Sequence, residues 1–365
     1  MKHNAKNERI KRQYFTFLSD AKGQNSATVD GVAMALSRFE DYIKNGDFKK
    51  FHYQQAKGFK AHLAKQLNKS TGKPLSRSTL HTTLRHVKSF FQWLCQQTGY
   101  KSSLQYGDME YFNLSTKDAR IATTRREKLA PTIEQIRHVL DSMEVSTPIQ
   151  RRNRALIAFT LLSGARDAAI ASMKLKHVDL AGQRVIQDAR EVDTKFSKSF
   201  TSYFFPVGED IIGIVADWIN YLRSEALFGN DDPLFPKTRM IVNEQQQFEA
   251  SGLKREHWTT TNPIRDIFKE AFTQADLDYF NPHSFRDTLA SLGEQRCNTV
   301  EQFKAWSQNL GHTKVLTTFM SYGEVQPQKQ SEIFEQFRNP QAEEPNHVQE
   351  LARAVALEIR NQSVV

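Results

Sequence analysis

Between residues 79 and 97 the apolar side chains Leu80, Leu84, Val87, Phe91 and Leu94 recur at intervals of three and four. That rhythm puts all of them on one face of an α-helix and decides which face is buried. Two earlier segments repeat it more loosely. Val32, Met34, Leu36 and Phe39 lead to Tyr42-Ile43, and Phe59, Leu63 and Leu67 stand four apart. Turn signals separate the three: Asn45-Gly46-Asp47, then Ser70-Thr-Gly-Lys-Pro. Ser26 or Thr28 is expected to cap the first helix, and Ser76 or Ser78 the third. The second is expected near 53–68 and the third over roughly 79–97. Residues 8–113 therefore read as a small helical bundle.

Charge is unevenly spread. Residues 1–130 hold 24 Lys and Arg against 10 Asp and Glu, whereas residues 131–365 hold 26 against 31. Residues 51–100 carry eight basic side chains and no acidic one. A field of one sign confined to one part of a chain suits a polyanion, because basic side chains bind DNA largely by releasing its counterions. Arg77, Arg85 and Lys88, off the apolar face of the third helix, are the candidate DNA contacts.

Other bulk properties exclude classes. The longest apolar run, Ala155–Ser163, is far shorter than a membrane span. Nothing near the N-terminus resembles a secretion signal. Two cysteines, Cys95 and Cys297, in unrelated contexts argue for a reducing cytoplasm and against a disulfide framework or zinc module.

Residues 114–130 are polar, basic and without period, which makes them the expected interdomain linker. Pro131-Thr132 then opens a helix with Glu134 in its first turn. Val178–Phe205 is rich in β-branched and aromatic residues with turns between, so a small antiparallel sheet is expected there. Residues 229–262 read as a long polar connection and 263–338 as helix again. An acidic hinge after Asn339-Pro340 leads to a short helix over 348–359. The expected fold class is mainly α with a small antiparallel β-sheet.

The chemistry-bearing residues lie in this second part: Gly164-Ala-Arg166, then Asn281-Pro-His283-Ser-Phe-Arg286, Leu310-Gly-His312 and Ser321-Tyr322-Gly. Arginine grips phosphate through a planar fork of donors. Histidine donates a hydrogen bond or moves a proton near neutral pH. Tyrosine forms a covalent intermediate when a charged site activates it. His283 and Arg286, three apart at a helix start, share one face, and a helix N-terminus favours phosphate. Each motif alone is weak: His-x-x-Arg suits a surface pair, and Arg166 could cap the preceding helix.

In this order, with a lysine-bearing β-hairpin between, the motifs resemble the tyrosine recombinases, the phage integrase family of DNA strand-exchange enzymes. The resemblance spans roughly residues 8–338 and is strongest over 155–325. It implies an N-terminal helical core-binding (SAM-like) domain at 8–113, a linker at 114–130, an α+β catalytic domain at 131–338 and a tail helix within 339–365. It implies that Arg166 and Arg286 hold the scissile phosphate, that His283 serves the attacking tyrosine, and that His312 bonds a non-bridging oxygen. Tyr322, the only tyrosine after Tyr279, would attack to give a 3′-phosphotyrosine and a free 5′-hydroxyl. No metal or other cofactor is implied, since two arginines supply the charge a metal would.

A hairpin lysine would protonate the leaving 5′ oxygen. Lys195 fits the local Thr-Lys pattern and Lys198 the distance to Pro206; Lys195 is preferred, and Lys198 otherwise reads as a DNA contact. The implied partners are double-stranded DNA, further copies in a tetramer on DNA, and room for an accessory DNA-bending or directionality factor. The expected location is the bacterial cytoplasm, at the nucleoid. Two departures stand out. The acidic residue usual three places after the first arginine is Ala169 here, with Asp167 two places earlier. The spacing from His312 to Tyr322 is one residue longer than is usual. The expected function is integration or excision for a mobile element or phage. The alternatives are an Xer-like resolvase, a type IB topoisomerase-like enzyme and a non-cutting DNA-binding protein.

Overall fold

The computed structural model describes residues 3–68, 71–124 and 129–312. The chain forms two compact units, residues 1–125 and 126–365. Tyr322, the hinge after Asn339-Pro340 and the helix expected at 348–359 lie outside the described residues.

The first unit is helical: α1 (Ala5–Thr16), α2 (Ser26–Tyr42), α3 (Tyr53–Lys65), α4 (Arg77–Leu94), a 3-10 helix at Tyr106–Phe112, and α5 (Thr116–Thr123). α4 buries the stripe read from the sequence, with Phe90 added. Ser76 caps it by accepting the Thr79 N–H at 3.0 Å. α2 is capped one residue earlier than expected, by Asn25, whose side chain accepts the Thr28 N–H at 2.9 Å; Ser26 is its first helical residue. Asparagine and serine cap almost equally well, so the side chains alone leave that boundary open. α3 stops at Lys65 because Gln66 turns extended and Leu67 bridges to Pro74. The core is aromatic. The Phe39 ring lies 5.0 to 6.4 Å from the rings of Phe48, Phe51, Phe59, Phe91 and Phe112. Such pairs contribute roughly 0.5–1.5 kcal/mol each beyond the area they bury.

α5 occupies part of the stretch read as linker. None of its residues is buried and Ile121 is exposed, so no apolar period marks it. Ser115 caps it, and Asp118 pairs with Arg77 of α4 at 3.0 Å.

The second unit contains α6 (Ile133–Ser142), α7 (Pro148–Ser163), α8 (Asp167–Ser172), α9 (Glu209–Ser224), α10 (Asn262–Gln274), α11 (Ser284–Arg296) and α12 (Val300–Asn309). α6 begins where Thr132 was expected to start a helix, with a reciprocal cap between Thr132 and Gln135. Every residue of α7 from Ala155 to Ser163 is buried, which makes it the core around which the unit is built. β1 (Val178–Asp179), β2 (Arg184–Gln187) and β3 (Phe200–Tyr203) form the expected antiparallel sheet in that order, with Val185 opposite Ser202 and Gln187 opposite Phe200.

The expected polar connection at 229–262 contains a second hairpin, β4 (Lys237–Val242) with β5 (Phe248–Lys254), bulged between Thr238 and Met240. Its Met240, Ile241, Val242 and Phe248 are exposed. With both faces wet, the in–out alternation that announces a strand is missing. The hairpin is fastened at its base by buried Arg152 of α7, which donates to the Pro236 carbonyl at 2.9 Å and the Thr238 hydroxyl at 3.0 Å, under the Trp258 ring. Among the described residues, no helix is long and apolar enough to cross a membrane.

Candidate active site

α7 ends at Gly164, whose φ is +60°. A side chain there would meet Leu310 and Phe205 at 3.1 Å and Leu289 at 3.2 Å. Both the left-handed backbone and the close packing require glycine. Gly164→Ala is therefore expected to destabilise the second unit by about 2 kcal/mol or more, read as a lower urea midpoint; an unchanged midpoint would contradict this.

The turn delivers Arg166 to the N-cap position of α8, in extended conformation and with no side-chain cap bond. Arg166 is partly buried, and that burial lowers its pKa. α11 supplies the second arginine. His283 occupies its N-cap position, exposed, with its N–H on the Asn281 side chain at 3.0 Å. One turn on, Arg286 points inward and is 4% exposed. Its Nη1 donates to the Gly164 carbonyl and its Nη2 to the Leu310 carbonyl at 2.5 Å. The same Nη2 stands 3.1 Å from His312 Nε2.

His312 is aimed by a helix terminator. At the end of α12, Gly311 takes φ +70°, its N–H bonds the Gln308 carbonyl at 2.7 Å, and the His312 N–H bonds the Ser307 carbonyl at 3.1 Å. This is the Schellman arrangement. It accounts for the glycine in Leu-Gly-His, and the Phe200 ring, 2.7 Å from where a Cβ would stand, adds a steric reason.

The electrostatics point one way. Arg286 is pushed down to about 9, first by burial and then by the positive charge of Arg166, with Asp287 acting in the opposite sense. Two guanidinium groups drawn out of water toward each other are a poor arrangement alone and a good one around an anion. Fork-like donors suit a phosphate in particular.

The remaining candidates are placed as follows. Lys195 and Lys198 sit on the exposed turn between β2 and β3, where the Lys195 ammonium lies 5.0 Å over the ring of Phe196. Ala169 is buried in α8, and Asp167 pairs with Arg265 of α10 at 2.8 Å. The acidic group beside the first arginine thus fastens α8 to α10, a contact no sequence period signals. In the first unit, Arg85 is exposed, whereas Arg77 pairs with Asp118 and Lys88 with Glu110 at 2.8 Å and the Asn113 side chain at 3.1 Å. Arg77 and Lys88, read from the sequence as facing solvent or DNA, also tie α4 to the segments that follow it.

The family model described as the phage integrase family matches residues 131–329. A tyrosine recombinase XerC of Halalkalibacterium halodurans is 22% identical over 309 residues, covering 84% of this chain and 89% of that protein. A XerC of Bacillus pumilus is 21% identical over 315 residues, covering 85% and 90%. Among solved structures, a lambda integrase (75–356) dimer bound to a COC′ core site gives a TM-score of 0.58 at 12% identity, covering 88% of this chain and 96% of that one. The Tn1549 transposon integrase in complex with transposon right end DNA gives 0.57 at 14%, covering 90% and 99%. XerH site-specific recombinase bound to palindromic difH substrate gives 0.58 at 16%, covering 90% and 85%. At these identities the structural likeness is one of fold.

Proposed function

Because the chain belongs to the phage integrase family, the tyrosine recombinases that cut and rejoin DNA through a phosphotyrosyl intermediate, we propose that it is the integrase of a bacterial mobile element or phage. The observation that carries the chemistry is the pair of Arg166 and buried Arg286, the latter 3.1 Å from His312. In this reading the two arginines bind the non-bridging oxygens of the scissile phosphate and stabilise the charge that builds as a fifth oxygen approaches phosphorus. His312 adds a hydrogen bond to the same oxygens. Tyr322 attacks, with His283 taking up or sharing its proton. The bond to the 5′ oxygen breaks, and Lys195 supplies the proton that makes it a hydroxyl, with Lys198 as the rival. A 5′-hydroxyl from a partner strand reverses the step, so no energy source is needed.

The first unit would grip the flanking duplex, and a tetramer on DNA would carry out strand exchange. The solved integrase neighbours include a lambda integrase tetramer bound to a Holliday junction, with a TM-score of 0.56, which supports that assembly. An accessory bending or directionality factor would act outside the chemistry. The domain limits we propose are 8–113 and 131–338, with 339–365 as the tail.

The mobile-element reading rests on the likeness to transposon and phage integrases. A second reading, an Xer-like resolvase, is favoured by the two XerC relatives. Capturing covalent protein–DNA adducts from cells and sequencing the attached ends separates the two. Adducts at the ends of a mobile element support the integrase. Adducts at one chromosomal site support the resolvase. Scattered adducts, or none with DNA binding intact, contradict both.

A further inference from the structure

The connection between β2 and β3 is tied at its base to the body of the unit, and its tip, which carries the lysines, is exposed. His177, only 4% exposed, accepts the Lys174 backbone N–H on Nδ1 at 3.0 Å. Its ring proton is thereby assigned to Nε2, which faces Glu191 Oε2 at 3.0 Å. The other Glu191 oxygen takes the ammonium groups of Lys176 at 2.8 Å and Lys174 at 3.2 Å. These partners, Lys176 first and then His177, hold the Glu191 carboxyl down to about 2. Next in the chain, Val192 is buried, and the Asp193 N–H donates to Ser172 Oγ at 2.8 Å. Ser172 is the last residue of α8, the helix whose N-cap is Arg166.

Beyond Asp193 the character changes. Phe196 and Ser197 adopt left-handed φ of 61° and 49°. Lys195 through Ser199 are all exposed, Phe196 at 89%. The nearest tie to α8, the helix that presents Arg166, therefore lies two places before Lys195, and on the far side of the turn Ser199 Oγ accepts the Ala189 N–H at 2.9 Å.

The geometry points to Glu191 and His177 as positioning residues: they clamp the base of the lysine-bearing turn to the frame that holds Arg166, so that Lys195 is kept within reach of the leaving 5′ oxygen. A carboxylate that accepts the imidazole N–H fixes the tautomer and orientation of the ring, and here the pairing also fixes where Glu191 and the chain after it leave the body of the unit. A free turn of this length would leave an exposed lysine sampling many positions, and small misplacements of an acid cost rate steeply. The inference rests on the reading of Lys195 as the proton donor.

The test exploits the proton itself. A 5′-oxygen leaving group needs one, and a 5′-thio leaving group departs as the thiolate without it. Single-turnover cleavage is measured for the full-length wild-type protein, Glu191→Ala and Lys195→Ala on both substrates. Glu191→Ala takes away the Nε2 partner of buried His177, so a thermal melt verifies that each variant is folded at the assay temperature. Glu191→Ala is expected to slow cleavage of the oxygen substrate by about tenfold or more and to match wild type on sulfur. Loss of rate to the same degree on both substrates, or on neither, overturns the clamp. Lys195→Ala reports separately on the premise: failure of sulfur to restore it would remove Lys195 as the donor and the clamp with it. A wild-type protein that cuts neither substrate would instead contradict the proposed function.

Discussion

Arg286→Ala is expected to lower the rate of strand cleavage by roughly a thousandfold, the upper range for removing one charge-stabilising donor from a preorganised site. The loss should appear in the single-turnover rate at saturating protein rather than in DNA affinity, because in the proposed reading basic side chains elsewhere in the chain would supply most of the binding energy. Stability will move as well. Arg286 satisfies the Gly164 and Leu310 carbonyls, and an unpaired buried carbonyl costs on the order of 1–3 kcal/mol. Arg286→Lys separates the two effects. It keeps the charge but has no planar fork, so it cannot hold both carbonyls and a phosphate oxygen together. About a hundredfold loss of rate with folding retained is expected for it; a wild-type rate in Arg286→Lys would show that the fork is not used.

The second large effect concerns the proton donor. Lys195→Ala is expected to slow cleavage by about 10²- to 10⁴-fold, as for loss of a general acid, and a 5′-thio leaving group should restore most of it. Lys198→Ala should behave as a lost phosphate contact. It should weaken binding on any sequence, lower the salt slope by about one, and leave cleavage at saturation equal on both substrates. The reverse pattern would transfer the role to Lys198. Both side chains lie on the same exposed turn, so position alone does not choose between them.

Much of this site is visible in the sequence because its backbone devices have residue signatures. Gly164 marks a left-handed helix end, Gly311 marks a Schellman terminator, and Pro282 precedes the helix start that carries His283 and Arg286. The α4 stripe and the Thr132 cap are equally legible, because burial on one face and a polar side chain at a helix start each leave a local pattern. What was missed has no such pattern. The acceptors of Arg286 are backbone carbonyls, one of them 122 residues away, and any residue type supplies a carbonyl. β4, β5 and α5 bury too little to show a period. Arg77 and Lys88 looked free because Asp118 and Glu110 reach them only through the fold.

The central claim is attack by Tyr322 on a phosphodiester, and the linked peptide tests it most directly. Purified protein is reacted with a DNA substrate that traps the cleaved state, the covalent complex is digested, and the DNA-bearing peptide is identified by mass spectrometry. The account predicts a single linkage, from Tyr322 to a 3′ phosphate, absent in Tyr322→Phe. Linkage through another side chain such as Tyr279, or to a 5′ phosphate, would contradict it.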